Sequence, residues 1–154
     1  MSLPTLVDYR ALAELRYQIR LFLSFSERAA RSAGVEPQQH QLLLACKGLP
    51  PDSRPTIRTL ATRLCLEHNT VVQATDKLEK LGYVRRERNG VDRREVLVEI
   101  TPSGEALLAH LSVLHRDQLR VGGPALYAAL GEILEAGARP GKAGSRAGSA
   151  ESSR

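Results

Sequence analysis

Five arginines lie within eleven residues near the middle of the chain, in the stretch VRRERNGVDRR from Val84 to Arg94. Only Glu87 and Asp92 oppose them, so this stretch has a net charge of +3. Guanidinium groups bind phosphate oxygens well, and several of them on one short segment suit a polyanionic partner such as nucleic acid. The chemistry that this stretch predicts is phosphate binding.

The same arginines occupy a predicted β-hairpin. Alternating residues predict strands over Tyr83 to Arg88 and Arg94 to Ile100, and Asn89-Gly90 is a dipeptide favoured in two-residue hairpin turns. Asp92 and Arg94 are two apart on an extended strand and therefore share a face. We expect the Asp92 carboxylate to hold the Arg94 guanidinium in one orientation.

The two helices before the hairpin have the spacing of a helix-turn-helix. Thr56 is placed to cap the first of them, whose apolar face includes Leu60. The second runs from about Asn69 to Leu81, with apolar Val71, Ala74 and Leu78 facing inward. Cys65 occupies the turn position where glycine is common, so either the turn is differently shaped or Cys65 tolerates some strain.

The opposite face of this second helix is predicted to read DNA. Its residues can contact base edges or phosphates and are Asn69, Thr70, Val72, Gln73 and Lys77. The hairpin after it would be a wing whose tip reaches the neighbouring groove of DNA. The predicted wing residues are Arg86, Arg88, Asp92, Arg93 and Arg94. The alternative reading of the helix residues is a solvated surface, and the arginine-rich hairpin favours DNA.

Amphipathic helices are predicted on both sides of this unit. One spans about Leu6 to Ala33, and another begins at Pro102 after the capping residue Thr101. We expect Gly122-Gly123-Pro124 to break the latter, so that a separate last helix follows. These apolar stripes exceed what the small winged domain can cover, which predicts a homodimer.

The predicted fold is mainly α with a small β-hairpin wing, a winged helix-turn-helix flanked by N- and C-terminal dimerisation helices. The predicted divisions are residues 1–34, 35–100 and 101–137, followed by a disordered tail over residues 138–154. That tail is rich in Gly, Ala and Ser and cannot bury enough apolar surface to order itself.

Other kinds of chemistry have little support in the sequence. We find no Gly-rich phosphate loop, nucleophile elbow or metal-ligand cluster, so we expect neither an enzyme nor a cofactor or metal. His40 is interpreted as a structural residue and Cys46 as a core residue. No apolar run is long enough to span a membrane, which favours a cytoplasmic protein.

The segment from Ile57 to Leu108 resembles the MarR family of bacterial transcription regulators. The resemblance rests on LATRLCLEHNTVVQATDKLEKLGYVRR followed by DRREVLVEITPSGEALL, above all on Asp92-Arg93-Arg94 running into ITPSG. It implies a homodimer on double-stranded, pseudo-palindromic promoter DNA, with Asp92 orienting Arg94. It also implies a small effector, often aromatic or phenolic, bound between the dimer helices and the winged domain. Many members have a basic residue where this chain has Gln73, so base preference does not carry over.

Two alternatives to ligand-controlled DNA binding remain at this point. A winged helix can serve protein-protein contacts, which the arginine-rich tip disfavours. Some relatives sense oxidants through a cysteine, but neither Cys46 nor Cys65 lies in the first helix, where that sensor residue is found.

Overall fold

The computed structural model describes residues 3–88, 92 and 94–138, and it has seven elements in that part of the chain. They are α1 (Leu6–Ser32), α2 (Pro37–Lys47), α3 (Ile57–Leu64), α4 (His68–Lys80), β1 (Val84–Arg88), β2 (Val96–Ile100) and α5 (Pro102–Ala138). The prediction of a mainly α fold with one antiparallel hairpin is confirmed. The predicted Asn89-Gly90 turn, Arg93 and the predicted tail beyond residue 138 lie outside the described residues.

The connection between α3 and α4 has the geometry of a tight helix-turn-helix. The Thr56 hydroxyl accepts a hydrogen bond from the Thr59 N–H at 3.1 Å, as expected of the cap of α3. Cys65 ends α3 with φ of 53°, and the following Leu66 N–H donates to Ala61 O at 3.0 Å. Of the two possibilities at Cys65, strain is the one observed, because a residue with a Cβ occupies the left-handed region.

The winged domain has its own apolar core. Leu60 of α3, with Val71 and Leu78 of α4, packs against Leu42 and Leu43 of α2. Val84 of β1 and Val98 of β2 bring the hairpin into this core. Across the hairpin, Val84 pairs with Ile100 and Val98 pairs with Arg86. Since α4 and both strands pack into one apolar core, that core fixes the position of the wing relative to α4.

The ITPSG segment ties the end of α4 to the start of α5. The Thr101 hydroxyl donates to Gly82 O at 2.5 Å, and the Thr101 N–H donates to Tyr83 O at 3.0 Å. A Cβ placed on Gly104 would lie 2.1 Å from Tyr83 O, so only glycine fits this close approach. The motif that marked the family resemblance thus joins the winged domain to the C-terminal helix.

The predicted break at Gly122-Gly123-Pro124 is wrong, because α5 is one helix of 37 residues with Pro124 inside it. Proline disfavours helix in the preceding residue mainly through a clash with that residue's Cβ and N–H. Gly123 has no Cβ, which relieves part of this clash. The backbone hydrogen bond that Pro124 cannot donate is still lost inside α5.

The long helices pack against each other but leave much of their apolar surface open. Helix α1 packs along α5, and Ala30, Val35 and Leu111 form a second small core there. Other apolar side chains of both helices are exposed, including Tyr9, Leu12, Val121, Tyr127 and Leu134. The stripe predicted on α1 therefore lies largely on the surface of the single chain.

Candidate nucleic-acid interface

Helix α4 presents a polar face to solvent, as its sequence pattern predicts. Val71, Ala74 and Leu78 are buried, whereas Asn69, Gln73 and Lys77 are exposed and Thr70 and Val72 are half-buried. Thr75 is also buried, where its hydroxyl donates to Val71 O at 2.7 Å. The five predicted recognition residues thus belong to the outward half of the helix.

These recognition residues do not all lie on one side of α4. Thr70, Gln73 and Lys77 line an open groove whose other wall includes Arg31 at the end of α1 and Glu36 before α2. Val72 lies on the flank nearest the wing, where its carbonyl oxygen is 3.4 Å from Arg86 Nη2. The outward face of α4 is therefore bordered by α1 and α2 on one flank and by the hairpin on the other.

Arg86 connects the wing to α4 and is not available as a free cation. Its Nη2 donates to Asp76 Oδ1 and its Nη1 to Glu79 Oε2, both at 2.6 Å. The Arg86 backbone N–H also lies 3.3 Å from Glu79 Oε1, and the side chain is only 25% exposed. The geometry does not favour the predicted phosphate contact of Arg86, because two carboxylates already occupy its guanidinium.

Arg85 also forms ion pairs, so the net charge counted over Val84 to Arg94 alone needs correction. Its guanidinium donates to Glu99 Oε2 on β2 at 2.9 Å and lies the same distance from Glu87 Oε1. Glu99 and the two acids of α4 lie outside the segment whose charge was counted. The net charge of that segment therefore overstates the positive charge that the hairpin offers to a partner.

Arg88 and Arg94 are the two predicted wing arginines that stay exposed in the described part of the chain, where neither forms an ion pair. The Asp92 carboxylate accepts a hydrogen bond from the backbone N–H of Arg94 at 2.9 Å. Asp92 thus bonds the backbone of Arg94 and not the guanidinium, as had been expected. No ion pair between described residues joins Asp92 to the Arg94 guanidinium. The reason is that an aspartate side chain readily bonds the N–H two residues later and so stabilises a turn.

A groove lined by charged residues of both signs at the base of the wing was not predicted from the sequence. Arg58 near the start of α3, His68 at the start of α4 and Arg94 of the hairpin line it together. Asp92 and Glu95 also line this groove, and Glu95 pairs with Arg54. Arg58 and Glu95 are 37 positions apart, and only the packing of the hairpin against α3 and α4 brings these residues together.

A second cavity of about 650 Å³ lies between α1, α2 and α5, on the side of the winged domain that faces the long helices. Its apolar wall includes Phe22, Leu23, Leu44 and Leu119. We call it the α1–α2–α5 cavity. A volume of this order is typical of small-molecule sites, and the cavity lies where the family resemblance implies an effector, between the long helices and the winged domain.

His40 and His115 meet at this cavity. Their rings stack with centroids 4.7 Å apart, and Phe22 and Phe25 contact the His115 ring edge-on. Burial and the neighbouring His115 lower the pKa of His40 to about 4, so its imidazole is neutral near pH 7. The pair joins α2 of the winged domain to α5.

The two cysteines differ in their surroundings, and those of Cys46 do not favour a redox sensor. Burial raises the pKa of the Cys46 thiol to about 12, which suppresses the reactive thiolate. Cys65 is exposed, and its thiol lies 3.9 Å from Thr62 O. The two lie on different elements, and neither forms a disulfide.

Comparison with known sequences places the winged domain among transcription regulators. The family model described as MarR family matches residues 33–95. A curated relative, the putative transcriptional regulatory protein for the hcr operon of Thauera aromatica, is 28% identical over 67% of this chain. The match spans 61% of that relative's own length.

Solved structures show the same fold over most of the chain. AbsC, a MarR family transcriptional regulator from Streptomyces coelicolor, superposes with a TM-score of 0.71 at 20% identity, covering 88% of this chain and 93% of AbsC. The transcriptional repressor CouR, bound to a 23-mer DNA duplex, superposes with a TM-score of 0.61 at 27% identity, covering 80% of this chain and 88% of CouR. In the part of this chain that the structure describes, no helix is long and apolar enough to cross a membrane.

Proposed function

Since this chain belongs to the MarR family of transcription regulators, we propose that it binds pseudo-palindromic promoter DNA as a homodimer and that a small aromatic or phenolic ligand releases it. In this proposal α4 enters the major groove and the wing reaches the flanking minor groove. The protein acts by binding and not as an enzyme.

DNA binding by this chain is supported mainly by the arrangement of α4 and the wing, which form one surface. Arg86 fixes the hairpin to α4, and exposed Asn69, Gln73 and Lys77 lie on the same side of the domain's core as that contact. Arg88 and Arg94 are exposed and form no ion pair with a described residue, so their guanidinium groups can contact phosphates, while the first residues of α4 offer backbone N–H groups. CouR, with the same fold, is bound to DNA in its structure.

The homodimer is supported by the apolar surface of the long helices. Val121 and Tyr127 of α5 are both 81% exposed, and Leu6 and Tyr9 of α1 are more than half exposed. A helix of 37 residues extends over about 55 Å, beyond the reach of the small winged domain. A second copy of the chain would bury these stripes and set the distance between two recognition helices.

The α1–α2–α5 cavity supports control by a ligand, because its walls belong to both the winged domain and the long helices. A molecule bound there contacts α2 and α5 at once, so it can change the angle between them and hence the spacing of the two copies of α4. Ligand and DNA affinities must then be coupled reciprocally. CouR from Rhodococcus jostii RHA1, a structural neighbour at 23% identity, has been seen bound to p-coumaroyl-CoA.

Selection of bound fragments from random duplex DNA tests the function directly. The proposal predicts an enriched site with two inverted half-sites separated by about one helical turn. Recovery of no duplex above background at low salt would exclude sequence-specific DNA binding. Enrichment of single half-sites would leave DNA binding intact and exclude the dimer.

A further inference from the structure

The wing has a second attachment, at its base, in addition to its contact with α4. The Val98 N–H donates to Pro55 O at 2.9 Å, and Leu97 pairs with Thr56 as well as with its partner on β1. Strand β2 therefore lies between β1 and the segment that precedes α3. Arg54 belongs to this segment, so it lies beside the wing on a backbone that is hydrogen-bonded to β2.

An ion pair joins Arg54 to the turn that enters β2. Arg54 Nη2 bonds Glu95 Oε2, and the Glu95 side chain is 28% exposed against 50% for Arg54. Within the turn, the Glu95 N–H donates to Asp92 O at 3.1 Å, and the Arg94 N–H donates to Asp92 Oδ1 at 2.9 Å. Arg54 thus holds the residue that follows Arg94, while Asp92 holds the backbone of Arg94 itself.

Arg94 receives no comparable support at its own side chain. It is exposed, forms no ion pair with a described residue, and lines the groove at the base of the wing together with Arg58 and His68. A side chain leaves the backbone along the Cα–Cβ bond, whose direction changes when the backbone turns. The direction of the Arg94 guanidinium therefore depends on how firmly the turn from Asp92 to Glu95 is held.

We propose that Arg54 and Glu95 are a positioning pair, which holds this turn so that the Arg94 guanidinium meets a DNA phosphate. Arg54 also offsets the charge of a carboxylate that would otherwise repel that phosphate. The proposal rests on the proposed function for the presence of DNA, and it adds two residues that set the geometry of the wing. Glu95 thus contributes to DNA binding although its own charge opposes it.

Glu95→Gln is the decisive variant, because the two effects of this carboxylate on DNA binding have opposite signs. Loss of a negative charge alone should tighten binding, whereas loss of the pair with Arg54 should weaken it. We expect the Kd for a selected duplex to rise about threefold at fixed salt, measured by fluorescence anisotropy on the full-length protein. Arg54→Gln should weaken binding too, and Arg54→Lys, which keeps the pair, should weaken it less. When Arg94→Gln is already present, the further change Glu95→Gln should no longer weaken binding.

A measurement without DNA separates this proposal from the proposed function. Amide hydrogen exchange followed by NMR should be faster at positions 94 and 95 in Glu95→Gln and in Arg54→Gln, while the denaturation midpoint stays unchanged. Glu105→Gln is the matched control, since it removes an exposed carboxylate from its pair with Lys47, outside the wing. It should alter neither the exchange at these positions nor the affinity for DNA.

Three results would each overturn the proposal: unchanged exchange in both variants, tighter DNA binding by Glu95→Gln, or an equal weakening by Glu95→Gln with and without Arg94. Faster exchange in the variants of a protein whose wild type binds no duplex contradicts the proposed function alone. DNA binding by the wild type with unchanged exchange in the variants contradicts the positioning pair alone.

Discussion

The guanidinium of Arg86 on β1 lies 2.6 Å from the carboxylate of Asp76 on α4, and it bonds Glu79 on the same helix at an equal distance. This contact does two things at the surface proposed to face DNA. It fixes the wing against α4, and it neutralises two acids that would otherwise repel phosphates. Arg86 is therefore a positioning residue rather than a phosphate ligand.

Arg86→Gln is expected to weaken DNA binding about tenfold or more while leaving the salt dependence of binding nearly unchanged. The wing loses its attachment and Asp76 and Glu79 become uncompensated, but no phosphate contact is removed. Fluorescence anisotropy with a selected duplex at several salt concentrations measures both quantities. Arg85→Gln is the matched control and should change little, because the Arg85 side chain is 64% exposed where it pairs with Glu87 and Glu99. A fall of the salt slope by about one per protomer in Arg86→Gln would instead assign Arg86 to a phosphate.

Gly104→Ala should destabilise the fold by about 1–3 kcal/mol, because the new Cβ would meet Tyr83 O and force the start of α5 away from the winged domain. Urea denaturation followed by circular dichroism measures the change. Gly131→Ala is the control on the same helix, since its Cβ meets nothing within 4 Å. There the better helix propensity of alanine should stabilise the chain by up to about 1 kcal/mol. Equal effects at the two positions would contradict the role of the close approach.

Protonation of His40 should make the fold less stable in mild acid. Its pKa is about 4 in the folded chain and 6.5 ordinarily, so between these pH values the unfolded chain binds a proton that the folded chain excludes. The associated stability is fully present above pH 6.5 and is lost as the pH falls toward 4. The loss is on the order of 1–3 kcal/mol.

Denaturation midpoints at pH 7.5 and pH 5, measured for the wild type and for two variants, test this prediction. His40→Phe should lose most of the decrease seen in the wild type, whereas His110→Asn, an exposed site on α5, should retain it. An equal decrease in all three proteins would assign the acid sensitivity to other groups.

Tyr127→Glu and Leu134→Glu are expected to convert the dimer to monomers. Both side chains are more than 60% exposed in the single chain, and a carboxylate at either position would be buried against apolar surface in the proposed dimer. Light scattering coupled to size exclusion gives the mass. Leu81→Glu changes an apolar residue that is 50% exposed on the winged domain and should remain dimeric. A monomeric wild type would contradict the dimer itself.

The sequence was sufficient for the parts of the fold that depend on local pattern. Periodicity located α4 and its buried Val71, Ala74 and Leu78, and alternation located both strands to within two residues. It failed at Pro124, which lies inside α5, where the absent Cβ of Gly123 relieves part of the clash that proline usually causes. A rule for single residues cannot include that effect of a neighbour.

The candidate site was harder to predict because its partners are distant in sequence. Charge counted over Val84 to Arg94 could not include Asp76, Glu79 or Glu99, which engage Arg86 and Arg85 only in the folded chain. The stacking of His40 on His115 likewise could not be predicted from the sequence, since the two residues are 75 positions apart. The resemblance placed an effector between the domains, and only the structure shows which side chains surround that space.

The most direct test of the account is the salt dependence of DNA binding by the wild type and by Arg88→Gln/Arg94→Gln. The account predicts that the wild type binds a selected duplex with steep salt dependence, and that the double variant binds more weakly with a slope reduced by about one for each phosphate contact removed. Wild-type protein that binds no duplex at low salt, or a double variant with an unchanged slope, would contradict the claim that α4 and the wing form one phosphate-binding surface.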